Sequence, residues 1–171
     1  MMMKRSIKIK QHDVTDCGAA CLASVCAHYG LKVPVARIRQ YAYTDQKGTN
    51  ILGMVEAAQK LGFSAKGVRG VYDALSMIPI PAIAHVVIKE ILHHFVVLYK
   101  ISKKGVVYMD PADGEIHKAT RQEFEKMWTG ILVILEPNET FEKGNEKISM
   151  TMKFLQLLAP HKSMMTQALF G

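Results

Sequence analysis

The chain lacks several things, and each absence closes a class. No stretch of roughly 18 uninterrupted apolar residues is present, so nothing in the sequence spans a bilayer by itself. The opening MMMKRSIKIK is basic but has no apolar core, which excludes a secretory signal. The three cysteines, Cys17, Cys21 and Cys26, are odd in number and crowd one segment. That is a poor disulfide framework, and free thiols fit a reducing compartment. Internal repeats and low-complexity tracts are absent, and there is no basic stripe interleaved with aromatics. The formal charge of +7 is scattered over the chain, so it does not make a nucleic-acid surface. Attraction to anionic lipid headgroups is the better use for it.

What is present is enough apolar material, 49% of 171 residues, for one domain with a real core. The first half is helical in pattern. TDCGAACLASVCAHYG reads as a helix apolar nearly all round, with Thr15 or Asp16 as cap and Gly30 as its stop. VPVARIRQYAY and ILGMVEAAQKLG follow, the second behind Thr49 and Asn50. Residues 71–78 predict a helical turn halted by Pro79 and Pro81. The second half predicts strands at AIAHVVI, HFVVLYKI, GVVYMD and GILVIL. TRQEFEKMW between the last two carries a capping box, Thr120 with Glu123. Helices first and strands after signal an α+β fold on a mostly antiparallel sheet. The polar run NETFEKGNEKIS predicts a linker, and the tail beyond it is apolar and amphipathic.

Cys17 opens the buried helix, where unpaired backbone N–H groups and the helix dipole favour a thiolate. Gly18 presents no side chain to an approaching substrate, and the Cys17 N–H is one oxyanion donor. Gln11, a short loop earlier, supplies a neutral amide suited to the second oxyanion contact. His94 begins one strand of a hairpin and Asp110 ends the other, so both fall near its open end. A carboxylate there orients the imidazole and supports its charge. One residue of register decides whether the two share a face, which leaves Asp113 as the weaker substitute. His93 points the other way. Cys21 and Cys26 read as packing residues, and the histidines show no metal spacing, so no metal or other cofactor is expected.

QHDVTDCGAACL, then HHFVVLYKI, then YMDPADG, over residues 8–135, resembles the peptidase domain of bacteriocin-processing ABC transporters, the double-glycine leader peptidases. The resemblance implies a papain-like cysteine peptidase fold over residues 1–136. Cys17 then matches the nucleophile, His94 the base, Asp110 the third member and Gln11 the oxyanion glutamine. It also implies that residues 137–171 are a linker and the start of the elbow leading into a transporter's membrane part. The expected partners are a precursor's leader peptide and the parent's membrane and nucleotide-binding domains. The expected place is the cytoplasmic side of a bacterial membrane. The rival reading is a docking domain that holds substrate without cutting it. Exposed members among Met54, Ala57, Ala58 and Leu61 are the candidates for a leader groove.

Overall fold

In a computed structural model, which describes residues 6–46 and 48–146, the two halves expected from the pattern are both found. A 3-10 turn, Val14–Asp16, runs into helix α1 (Cys17–Tyr29), followed by strand β1 (Leu31–Lys32), α2 (Val35–Tyr41) and α3 (Ile51–Lys60). Then come β2 (Phe63–Arg69), a 3-10 turn at Tyr72–Met77, β3 (Ala82–Ile88), β4 (Leu92–Ser102) and β5 (Gly105–Asp110). The described chain finishes with β6 (Glu115–Thr120), α4 (Arg121–Met127), β7 (Trp128–Pro137) and β8 (Gly144–Asn145).

Six strands form one sheet in the order β2-β7-β3-β4-β5-β6, every pairing antiparallel. Strand alternation gives the sheet two apolar faces. Ile83, Val97, Met109 and Val133 meet Cys21, Leu22, Ile38 and Met54 from the helices. Ala84, Val86, Val96, Leu98 and Leu132 meet Tyr72, Leu75 and Phe124. α1 therefore lies under the sheet as a core element, and its residues from Cys17 to Cys26 are all buried. Gly30 closes it at φ 101°, as expected of a left-handed stop.

Several expectations change. Gly18 is small because of packing: a β-carbon there would stand 2.9 Å from both Met54 Cε and Thr49 Cβ. Met54, Ala57, Ala58 and Leu61 are all buried in the core, so none of them offers a groove to a peptide. The segment SAKGVRGV, which has no clear strand pattern, is mostly strand β2, and EIHKAT forms the outer strand β6. The polar run after Pro137 stays with the domain over its first part. The Phe141 ring packs 4.8 Å from that of Phe63, β8 pairs in parallel with β1, and Arg37 meets Glu146 at 2.6 Å. The apolar tail, expected to begin an elbow, lies outside the described residues.

Candidate active site

Cys17 is the first residue of α1 and only 7% exposed. The capping side chains are spent one turn earlier. Thr15 N–H donates to Asp13 Oδ1 (3.1 Å), and Asp13 N–H donates to Asp16 Oδ2 (3.1 Å). The other oxygen of Asp16 accepts from Arg39 Nη1 at 2.6 Å. So Asp16 caps the short turn, and its side chain makes no cap bond to α1. The positive end of the helix dipole is left to the sulfur. Arg39 offsets the one negative charge that the sequence places next to it.

His94 and Asp110 come together as the hairpin predicts, through a device the sequence does not advertise. The turn is two residues, Lys103 and Lys104, with Ser102 opposite Gly105, Ile101 opposite Val106 and Lys100 opposite Val107. Carried on unchanged, that register would set Asp110 opposite Val97, on the face away from His94. A β-bulge at Tyr99 intervenes: Leu98 pairs with Tyr108 and Val97 with Met109. Continued from there, Asp110 falls opposite Val96 and shares a face with His94, one diagonal step along. The result is a 2.7 Å hydrogen bond between His94 Nε2 and Asp110 Oδ1. With Nε2 engaged, Nδ1 is the nitrogen left free, and Cys17 is near enough to raise the ring's affinity for its proton.

The electrostatics follow. Burial alone would push the His94 imidazole down. Hydrogen bonds to Asp110 and Cys17, with the charges of both, reverse that and raise it to about 9. Burial works against the Asp110 carboxylate too. The bond to His94 and the Ala112 N–H (2.8 Å) nevertheless hold it below the usual carboxylate range. At neutral pH the pair is imidazolium and carboxylate. Deeper in α1 burial prevails: it raises Cys21 well above an ordinary thiol, with the Cys17 and Asp110 charges adding to it, and takes Cys26 to about 12 against a smaller opposing backbone hydrogen bond.

Gln11 reaches this corner from the other side, because its N–H donates to the carbonyl of Pro111, the residue after Asp110 (2.8 Å). Its Oε1 is buried with no protein partner among the described residues. The chain therefore does not fix which end of the amide is presented. Asp113 bonds His117 at 2.8 Å and is not part of the group. His93 is exposed and stacks on His85, while His94 is buried, so the two point apart as expected. Among the described residues no group of three or more metal-binding side chains assembles. Tyr99 and Arg39 were not singled out from the sequence. The bulge and the ion pair that give them their places leave no mark in residue order.

The Peptidase C39 family model matches residues 5–140. Over 158 residues the chain is 35% identical to the Lactococcin-G-processing and transport ATP-binding protein LagD of Lactococcus lactis subsp. lactis, covering 91% of this chain and 22% of that protein. Identity to the Pediocin PA-1 transport/processing ATP-binding protein PedD of Pediococcus acidilactici is 34% over 155 residues, 89% of this chain and 21% of that one. The chain thus spans about a fifth of the length of these relatives. The peptidase domain of Streptococcus ComA, a bi-functional ABC transporter, superposes with a TM-score of 0.73 at 32% identity, over 78% of this chain and 100% of that one. A double glycine motif protease from an AMS/PCAT transporter, solved with a leader peptide, gives 0.72 at 34% identity, over 79% and 94%. Both share the antiparallel sheet with packed helices seen here, and the chain belongs to the C39 family of cysteine peptidases.

Proposed function

We propose that the chain is an endopeptidase that removes a leader peptide after a double-glycine motif from a bacteriocin-like precursor. It would do so as the peptidase part of an ABC transporter, on the cytoplasmic side of the membrane. Cys17 is the nucleophile, His94 the base and acid, Asp110 the orienting carboxylate, and Gln11 with the Cys17 N–H the oxyanion donors. The observation that carries this reading is the 2.7 Å His94–Asp110 bond, on a histidine whose proton is also held by the cysteine that opens α1. The relatives' roles in processing and transport of lactococcin G and pediocin PA-1, and the double glycine motif protease solved with a leader peptide, support the substrate class. Among the described residues no helix is long and apolar enough to cross a membrane, so the reading leaves any membrane passage to other parts of a transporter.

The chemistry follows from the proton inventory. The Cys17 thiolate attacks the carbonyl carbon of the second glycine, forming the C–S bond, and the carbonyl electrons move to an oxygen held by the oxyanion donors. As that oxyanion collapses the C–N bond breaks, and His94 gives its Nδ1 proton to the departing amine. A water then gives a proton to His94 and attacks the thioester, releasing the leader and restoring the thiolate. Asp110 stays ionised throughout and keeps Nδ1 aimed at the sulfur. A cleft closed over the scissile bond excludes β-carbons, which accounts for glycine on the leader side of the cut. Selectivity then has to come from a remote contact with the leader, whose binding energy also aligns the bond.

The test is cleavage of a synthetic leader peptide that carries two glycines and a short cargo stub. The expected result is a cut after the second glycine, unaffected by EDTA and abolished in Cys17→Ala. Binding of the leader without any cut by the unaltered chain would favour the docking reading. Undiminished cleavage by Cys17→Ala would remove the mechanism.

A further inference from the structure

We infer that Tyr99 is a positioning residue for the oxyanion donor Gln11. Its phenol clamps the N-terminal segment that carries Gln11 onto the strand that carries His94. The inference rests on the reading of Gln11 as an oxyanion donor and asks what holds that side chain in place.

The described part of the N-terminal segment, residues 6–12, belongs to no helix or strand, so no regular ladder fixes it. It is tied at two points four residues apart. At Ile7 both backbone groups are taken by one phenol: Ile7 N–H donates to Tyr99 Oη (3.1 Å), and the Tyr99 hydroxyl donates to the Ile7 carbonyl (2.7 Å). At Gln11 the backbone N–H donates to Pro111 (2.8 Å). Between them, Gly114 at φ 75° allows a close crossing, since a β-carbon there would come 2.9 Å from Lys10 Cβ. The ion pair of Lys8 with Glu115 is half-exposed on both sides and adds little.

The phenol can reach Ile7 because of where Tyr99 sits. It is the extra residue of the bulge, outside the β4–β5 pairing, and bulges re-aim side chains. The same extra residue turns Asp110 to the face of His94. One position therefore serves both halves of the site. Its backbone sets the register of the acid–base pair, and its side chain tethers the irregular N-terminal segment that delivers the oxyanion amide. Tyr99 is five residues from His94, and the atoms it bonds are four residues from Gln11, so it acts through others and touches no substrate.

Tyr99→Phe keeps the ring and the bulge and removes both bonds to Ile7. Kinetics on the double-glycine peptide should show kcat reduced about tenfold with KM unchanged, against about a hundredfold or more for Gln11→Ala. The decisive reading is the double variant, because a residue that works through Gln11 should cost almost nothing once Gln11 is gone. Alkylation of Cys17 by iodoacetamide should proceed at the unaltered rate, since that step has no oxyanion. Ile7→Pro removes one of the two bonds, the donation from Ile7 N–H, and should show the same pattern with a smaller loss, which keeps the test open if Tyr99→Phe folds poorly. Equal losses with and without Gln11, or no loss at all, would overturn the inference and leave the oxyanion reading standing. A slower alkylation would overturn it by moving Tyr99's influence to His94. If Gln11→Ala retains full kcat, the oxyanion reading itself fails, and the inference with it.

Discussion

Cys17 and Cys26 lie on one helix, yet they occupy opposite chemical situations. Both are less than a tenth exposed, so exposure does not separate them. What differs is the company. Cys17 has an imidazolium against it and the positive end of α1 beneath it, whereas Cys26 is fully buried with no cation acting on it among the described residues, and burial with the Glu146 charge holds its thiol at about 12. Reactivity along α1 is set by which charges the sheet brings to each turn, not by access alone.

The widest expected contrast is in thiol labelling. At pH 7 a thiol at about 12 is ionised in roughly one molecule in 10⁵. Iodoacetamide followed by mass spectrometry should place the label on Cys17 at least about 10³-fold faster than on Cys26. Comparable rates at the two would erase the distinction. Asp110→Asn takes away the charge that lifts His94 and should lower kcat about 10²-fold or more in the peptide assay. It should also bring Cys17 labelling closer to that of its deeper neighbours. A kcat within twofold of the parent would show that the carboxylate is not needed.

Arg39→Met leaves the 2% exposed Asp16 with a charge and no cation, directly beside Cys17. We expect a stability loss of about 1–3 kcal/mol in urea unfolding, below that of a fully buried pair because Arg39 is 37% exposed. Slower labelling of Cys17 should accompany it. The smallest effect is Cys26→Ala, which should leave kcat intact and cost about 1 kcal/mol in thermal unfolding through the lost packing. Any fall in turnover there would give the deep cysteine a part in the chemistry.

The pH dependence has a definite sign. His94 is raised in the fold to about 9 from an ordinary 6.5, so its support for the native state is complete below 6.5 and fades as pH rises through 9. Asp110 is lowered, and its support is lost on the acid side as the carboxylate protonates. Differences in Tm between the parent and His94→Gln should therefore be largest in the mildly acidic range and shrink above pH 9. A difference that grew above pH 9 would contradict the assignment.

The parts legible in the sequence were those that a short window specifies. The apolar run of α1, the Thr120–Glu123 capping box and the strand-like runs of β3, β4 and β5 all stand where the pattern put them. The strands that escaped notice are the outermost. β2 and β6 form the two edges of the sheet and bury only Phe63 between them, so neither shows clean two-residue alternation. The catalytic candidates were found because three short motifs carry them. How they meet was not, since the bulge at Tyr99 and the Arg39–Asp16 pair are tertiary outcomes with no local signature. Asp113 is a substitute in the sequence for the same reason; in the fold it lies in the turn between β5 and β6 and bonds His117.

The bulge also limits how this hairpin can change over time. A single residue added to or lost from β4 between His94 and the turn reverses the side on which Asp110 emerges, unless a second irregularity appears with it. Viable length changes in this stretch should then come in twos, or be confined to the Lys103–Lys104 tip with a compensating shift. Aligned relatives would display this as a gap-free corridor running from the histidine to the aspartate, bordered by segments where gaps are common.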